Sequence, residues 1–129
     1  MPGGEGTMRF GSGAFEGKYS FASRFEDGPG TNPEELIGAA HAGCFSMAFA
    51  GNLQRAGHEP ESVETSARVH IDKSGDGFTI TRIELDTTAS VPGIDEDEFQ
   101  QIATASKEGC PVSRALAGVG EITLDAKLA

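Results

Sequence analysis

Positive charge is scarce in this sequence. Lys and Arg number 10 against 20 Asp and Glu, a formal net charge of −10 over 129 residues. So acidic a chain lacks the basic surface that supplies most of the affinity for nucleic acid or for an anionic membrane. Neither is expected as a partner. Cysteine is nearly absent too: two residues are too few for a disulfide scaffold or a four-thiolate zinc site. Long apolar runs are also short. Leu36–Ala50, the most apolar stretch, falls below the roughly 20 residues a bilayer span needs, and it carries His41. Met1–Gly13 has neither the apolar centre nor the basic start of a signal peptide. The cytoplasm is therefore the expected compartment. There a thiol pair that closes is catalytic rather than structural.

What is present fits one folded domain over residues 1–129: the length is that of a single domain, and 37% of residues are apolar. Met1–Gly13 is glycine-rich and expected to be loose. Ala14–Phe25, with spaced aromatics, reads as one or two strands, and Glu26–Gly30 reads as a loop. Thr31-Asn32-Pro33-Glu34-Glu35 supplies a capping residue, a proline at a first helical position and two acids in a first turn. A helix should follow and stop near Gly57. Leu36–Gly51 carries almost no charge on any face. A helix apolar all round needs cover on both sides, and one sheet covers only one. This is a first argument for a homodimer.

Val63–Ile71 alternates in polarity, Ser74–Gly77 is a turn, and Phe78–Val91 completes a hairpin. The apolar phase slips between Ile80 and Ile83, which predicts a bulge or a strand buried on both faces. Asp95 and Glu98 have capping-box spacing for a helix running to about Glu108. Pro111 opens a short helix to about Ala117, and Ile122–Leu128 alternates as a last strand. The order β-α-β-β-α-α-β is α+β with a mainly antiparallel sheet.

The two cysteines stand 66 residues apart, so they form no CxxC motif. Cys44 lies mid-helix in apolar sequence, where burial as a small hydrophobe is the ordinary fate of a thiol. Cys110 lies between Gly109 and Pro111 at the mouth of a short helix, which stabilises a thiolate; the alternative is a residue that merely fills a turn.

Phe25-Glu26, then Gly30 through Ala48 (GTNPEELIGAAHAGCFSMA), and Gly109-Cys110-Pro111-Val112-Ser113 together resemble the OsmC branch of the OsmC/Ohr family, as do Val91–Asp95 and Glu121–Asp125. The resemblance runs from about Gly6 to the C-terminus. It implies mainly antiparallel sheets packed around long central helices in an intertwined homodimer, with two active sites at the subunit interface. It also implies a thiol peroxidase that reduces organic hydroperoxides, and hydrogen peroxide less well, with no cofactor and a dithiol donor, typically a lipoyl-bearing protein. Residue by residue, Cys44 matches the peroxide-attacking cysteine, Cys110 the resolving cysteine, Glu34 the active-site glutamate and Arg24 the arginine. Their chemistry is coherent. Arg24 can hold a thiolate without losing its own charge, and Glu34 can fix the guanidinium through a forked pair.

Two features depart from this pattern. Ten residues separate Glu34 from Cys44, about 15 Å of rise in a straight helix with the side chains turned roughly 80° apart. A break is therefore expected between Leu36 and Ala40, at Gly38. Relatives also usually begin with a strand carrying a Trp-Glu-Gly-like motif. This chain has no tryptophan, so that first strand is expected to be truncated or missing.

Weaker signals remain. His41 and Cys44 share helical spacing, but His58 falls in a loop and His70 alternates outward, so a metal site is not expected. His41 reads as a packed residue that tunes the pocket. Phe15, Phe45, Phe49, Phe78 and Phe99 read as core, with Phe45 and Met47 candidates for lining an apolar channel. Ser46 and Ser113 lack a Gly-x-Ser-x-Gly setting. Two other readings stand beside the peroxidase: a non-enzymatic stress-response protein of the same fold that binds an apolar or acyl ligand, and a globule with two inert thiols.

Overall fold

A glycine-flanked turn folds the start of the chain back on itself. In the computed structural model, which describes residues 3–129, β1 (Glu5–Arg9) and β2 (Glu16–Ser20) form an antiparallel two-stranded sheet, with Glu5 opposite Ser20 and Arg9 opposite Glu16. The Phe10 and Phe15 rings meet across the turn with centroids 5.0 Å apart. A strand, β1, thus forms within the stretch expected to be loose; Met1 and Pro2 lie outside the described residues. Cross-strand pairing and this ring contact compensate for weak local propensity.

The expectation of strand over Ala14–Phe25 fails at its second half. Phe21–Phe25 is a short helix, α1, closed by a capping box in which Ser20 and Ser23 satisfy each other's backbone N–H. Phe21 and Phe25 are four apart, which stacks them on one helix face, and their centroids lie 5.1 Å apart. Gly30 follows at φ +112°, where a Cβ would sit 2.5 Å from the Lys18 carbonyl oxygen. Only glycine fits there.

By its contacts the chain divides into two units, Met1–Ile37 and Gly38–Ala129. The central helix, α2, runs Pro33–Arg55 without interruption, so the expected break between Leu36 and Ala40 is absent. Asn32 caps its start by accepting from the Glu35 N–H at 2.7 Å. Gly57, at φ +90°, ends it in a Schellman arrangement, with His58 N–H donating to Leu53 O and Gly57 N–H to Gln54 O. Gly38 serves close packing instead of a kink. A Cβ there would lie 3.4 Å from both the Ala67 carbonyl oxygen and Val69 Cγ2. At 23 residues, with a mean hydropathy of 1.2 over its most apolar window, α2 is long and apolar enough by length and composition to cross a bilayer. Leu36–Ala50 alone is too short for this, but polar-flanked turns at both ends extend the helix.

The larger unit holds a three-stranded sheet in the order β3 (Ser62–Ser74), β4 (Gly77–Ser90), β5 (Glu121–Leu128). β3 and β4 are antiparallel, whereas β5 runs parallel to β4. The sheet is therefore mixed, because α3 (Glu96–Gly109) and α4 (Pro111–Ala115) carry the chain across between β4 and β5. The slip in apolar phase is a bulge: His70 pairs with Arg82 and Ile71 with Ile80, leaving Thr81 unpaired. Beyond it Ile83, Leu85, Thr87 and Ala89 all face inward. Asp95 caps α3 by accepting from Glu98 N–H at 2.8 Å. The reciprocal half of the expected box is missing, because the Glu98 carboxylate pairs with His58 instead.

Phe45, Phe49 and Leu53 from α2, Phe99 and Ala103 from α3 and Leu85 and Ala89 from β4 form the core. Phe49 is its hinge point, with ring centroids 5.4 Å from Phe45 and 5.3 Å from Phe99. Each such side chain stabilises the fold by roughly 1.5–3 kcal/mol on burial. Phe78, expected in the core, is instead exposed at the β3–β4 turn, and Phe15 is half-buried.

Candidate active site

Within the smaller unit, Arg24 and Glu34 form the forked pair their types allow. Arg24 Nε donates to both carboxylate oxygens at 3.0 and 3.1 Å, and Nη2 donates to Oε1 at 2.6 Å. The Glu34 side chain is 7% exposed and that of Arg24 39%, so the carboxylate depends on this guanidinium while one side of the guanidinium stays accessible. The supporting frame is local. Ser23 Oγ donates to Thr31 O at 2.7 Å, and Asn32 Nδ2 to Ser23 O at 3.0 Å, tying α1 to the start of α2. Arg24 also lies 5.2 Å from the Phe25 ring centroid.

Within the larger unit, the two thiols meet. Cys44 projects from the middle of α2; Cys110 is at once the last cap of α3 and the first of α4. Their sulfurs are 2.9 Å apart, both free and joined by a hydrogen bond. Cys44 is half-buried and Cys110 fully buried. Burial pushes the Cys44 thiol up, as does its hydrogen bond with Cys110, against a backbone N–H from Val112. For Cys110 burial also works upward. The hydrogen bond with Cys44, the N–H and hydroxyl of Ser113 and the Val112 N–H outweigh it and hold Cys110 below the ordinary thiol value. Inside this unit, then, negative charge on the pair favours Cys110, and no Lys or Arg is among the groups acting on Cys44.

His41 and Ser113 complete the cluster. His41 is fully buried one turn before Cys44, and its Nε2 lies 2.6 Å from Ser113 Oγ. Sequence reasoning placed His41 near the pocket but missed Ser113. The signal was there: each stands three residues from a cysteine within a helical segment, which is one-face spacing. The other histidines go elsewhere, His58 to Glu98 and His70 to Glu84. Among the described residues no group of three or more His, Cys, Asp or Glu is arranged to hold a metal ion. The apolar channel suggested by Phe45 and Met47 does not form in the chain: Phe45 is inside the core and Met47 is 79% exposed on the opposite side of α2.

Two thiols in contact on an α+β framework, one held mid-helix and one at a helix junction, define a dithiol redox protein. The chain belongs to the OsmC-like protein family, whose model matches residues 26–125. It is 51% identical over 126 residues to Peroxiredoxin OsmC of Escherichia coli (strain K12), covering 97% of this chain and 87% of that protein. It is 37% identical to the organic hydroperoxide resistance protein of Xanthomonas axonopodis pv. citri (strain 306), over 75% of this chain and 67% of that one. The fold matches the OsmC organic hydroperoxide resistance protein of Legionella pneumophila with a TM-score of 0.75 at 20% identity, over 96% of this chain and 95% of that one. It also matches OhrB of Bacillus subtilis at 0.71 and 24%, over 96% and 98%.

Proposed function

We propose that this chain is a cysteine-based peroxidase that reduces organic hydroperoxides, and hydrogen peroxide less well, to the alcohol or water. The observation that carries the reading is the 2.9 Å between the two sulfurs. A disulfide bond is about 2.05 Å long, so little motion closes it. Inert core thiols or a ligand-binding pocket have no need of that contact. The Cys44 thiolate attacks the peroxide oxygen, the O–O bond breaks, and the alkoxide leaves as alcohol after taking a proton. Cys44 is left as sulfenic acid. Cys110 displaces its hydroxyl as water to form the disulfide, which protects Cys44 from further oxidation. A dithiol, of lipoyl type in this reading, then reopens the disulfide by exchange.

The working unit in this reading is a homodimer in the cytoplasm. Ala39, Ala40, Gly43 and Met47 form an exposed apolar strip on α2, and 28% of its most apolar window is buried within the single chain. In this reading each active site lies at the subunit interface and holds Arg24 and Glu34 beside Cys44. Arg24 would supply the cation that moves negative charge from Cys110 to Cys44 and would donate to the peroxide oxygens.

Stopped-flow oxidation by cumene hydroperoxide, with turnover supported by a dihydrolipoyl donor, tests the reaction. Cys44→Ser is expected to abolish turnover. Cys110→Ser should allow one oxidation and accumulate sulfenic acid. Absence of turnover in the parent protein, or turnover that survives Cys44→Ser, overturns the proposal.

A further inference from the structure

Cys110 joins a well-anchored helix to a poorly anchored one. On its N-terminal side α3 buries Phe99, Ala103 and Ser106, and Asn52 of α2 donates to Ser106 Oγ at 2.9 Å. On its C-terminal side, from Pro111 to Gly120, Ser113 is the one buried residue. A segment with so few buried groups opens before the rest of a fold does. Its anchor is polar: the Ser113 hydroxyl lies 2.6 Å from His41 Nε2 on α2. His41 is fully buried and its Nδ1 has no hydrogen-bond partner, so among the described residues Ser113 is the polar partner of the ring. A hydroxyl both donates and accepts, so the bond forms with either tautomer. An apolar contact can slide, but a buried hydrogen bond that slides leaves both groups desolvated and unpaired. His41 stands three residues before Cys44, and Ser113 three after Cys110. The tie therefore crosses from α2 to α4 one turn from the place where the sulfurs meet at 2.9 Å.

We infer that His41 and Ser113 are positioning residues for disulfide closure: their hydrogen bond pins α4 to α2 and so keeps the Cys110 sulfur against that of Cys44 while both are reduced. In closure the S–S bond forms, the S–O bond of the Cys44 sulfenic acid breaks, and the departing hydroxide takes the Cys110 proton to leave as water. With α4 pinned in advance, closure does not have to order it. Without the pin, the disulfide itself must hold α4 in place, and the reduced form gains the freedom the pin removed. The inference rests on the peroxidase reading for the step it serves, but the pin is measured without peroxide.

Equilibration with glutathione gives the effective concentration of one thiol at the other. Two protein thiols give up two electrons and two protons, and one glutathione disulfide becomes two glutathiones. Loss of one hydrogen bond is worth about tenfold. His41→Asn, whose amide is too short to reach the hydroxyl, and Ser113→Ala are each expected to lower the effective concentration about tenfold. His41→Gln places an amide where Nε2 stands and should restore most of it. A second readout is the alkylation rate of Cys110, measured with Cys44→Ala so that it is the one thiol present. Cys110 is fully buried, so alkylation waits on opening, and His41→Asn and Ser113→Ala should each raise the rate about tenfold. Ile83→Val in β4, with a comparable loss of global stability, should change neither readout. Several results overturn the pin: an effective concentration within about twofold of the parent in His41→Asn or Ser113→Ala, a His41→Gln variant as low as His41→Asn, or an Ile83→Val variant that behaves like them. Slower alkylation in Ser113→Ala also overturns it, because the hydroxyl would then act on the Cys110 sulfur directly instead of holding α4. Ser113→Ala removes one atom and supplies both readouts if His41→Asn does not fold. Peroxide turnover is assayed separately, so failure of the peroxidase reading and failure of the pin are told apart.

Discussion

Among the described residues the Glu34 carboxylate takes three hydrogen bonds, all from Arg24, and it is almost wholly buried. Removing a donor from such a group leaves its desolvation uncompensated. Arg24→Ala is therefore expected to destabilise the fold by about 1–3 kcal/mol in urea denaturation, and Glu34→Gln by less, because an amide oxygen still accepts. The catalytic consequence has its own sign. A thiolate appears above its pKa, and a cation lowers that pKa. If Arg24 is the cation acting on Cys44 in the assembled enzyme, Arg24→Ala shifts the pH profile of Cys44 alkylation to higher pH. An unshifted profile would remove Arg24 from the thiol's surroundings. Cys110 needs no such help, since Ser113 and Val112 already act on it within the same unit.

At the scale of elements, α2 is where local pattern and packing gave different answers. Gly38 reads as a hinge when the aim is to bring Glu34 towards Cys44 on one chain. The structure uses it as a flat spot against β3, with a would-be Cβ at ordinary contact distance from Ala67 and Val69. Two substitutions separate these roles. Gly38→Ala should leave stability unchanged or raise it by up to about 1 kcal/mol through helix propensity. Gly38→Leu should cost about 1–3 kcal/mol by overpacking. Thermal denaturation distinguishes the outcomes, and a strongly destabilised Gly38→Ala would mean that the contact with Ala67 and Val69 has no room for a methyl group. Other element-level features were legible in the chain: Pro33 and Asn32 at one end of α2, Gly57 at the other, Asp95 before α3, and the Ile80/Ile83 slip that became the bulge at Thr81. Each depends on contacts within a few residues, or on a period. Helix α1 differs from the expected strand because Phe21 and Phe25 carry a spacing open to both a strand and a one-turn helix. The capping box of Ser20 and Ser23 settled it.

For the whole molecule, the second face of α2 is uncovered in the single chain. Met47 is 79% exposed and a Cβ on Gly43 would meet nothing within 4 Å in the single chain. Met47→Glu should therefore leave the core formed by Phe45, Phe49 and Leu53 untouched. In the proposed dimer it would bury a charge, which is strongly unfavourable without a partner. Sedimentation equilibrium should show the parent as a dimer and Met47→Glu dissociating at concentrations where the parent does not, with peroxide turnover falling in parallel. A parent protein that sediments as a monomer removes both the dimer and the shared site. The net charge of −10 sharpens this point: with acids in twofold excess over bases, the proposed dimer would be held by apolar surface rather than by attraction between charges.

The sequence by itself determined the class of chemistry and most of the elements. Two cysteines in distinctive settings, an arginine and a glutamate in a recognisable motif, and a helix bounded by Pro33 and Gly57 are all local facts. Tertiary structure alone decided which groups act on which. His41 and Ser113 are 72 residues apart, as Cys44 and Cys110 are 66 apart, and such pairs meet only because α3 and α4 pack beside α2. The direction of charge between the two sulfurs is of the same kind. It depends on the Val112 and Ser113 donors aimed at them, and hydrogen-bond geometry and burial, unlike periodicity, are properties of the folded chain.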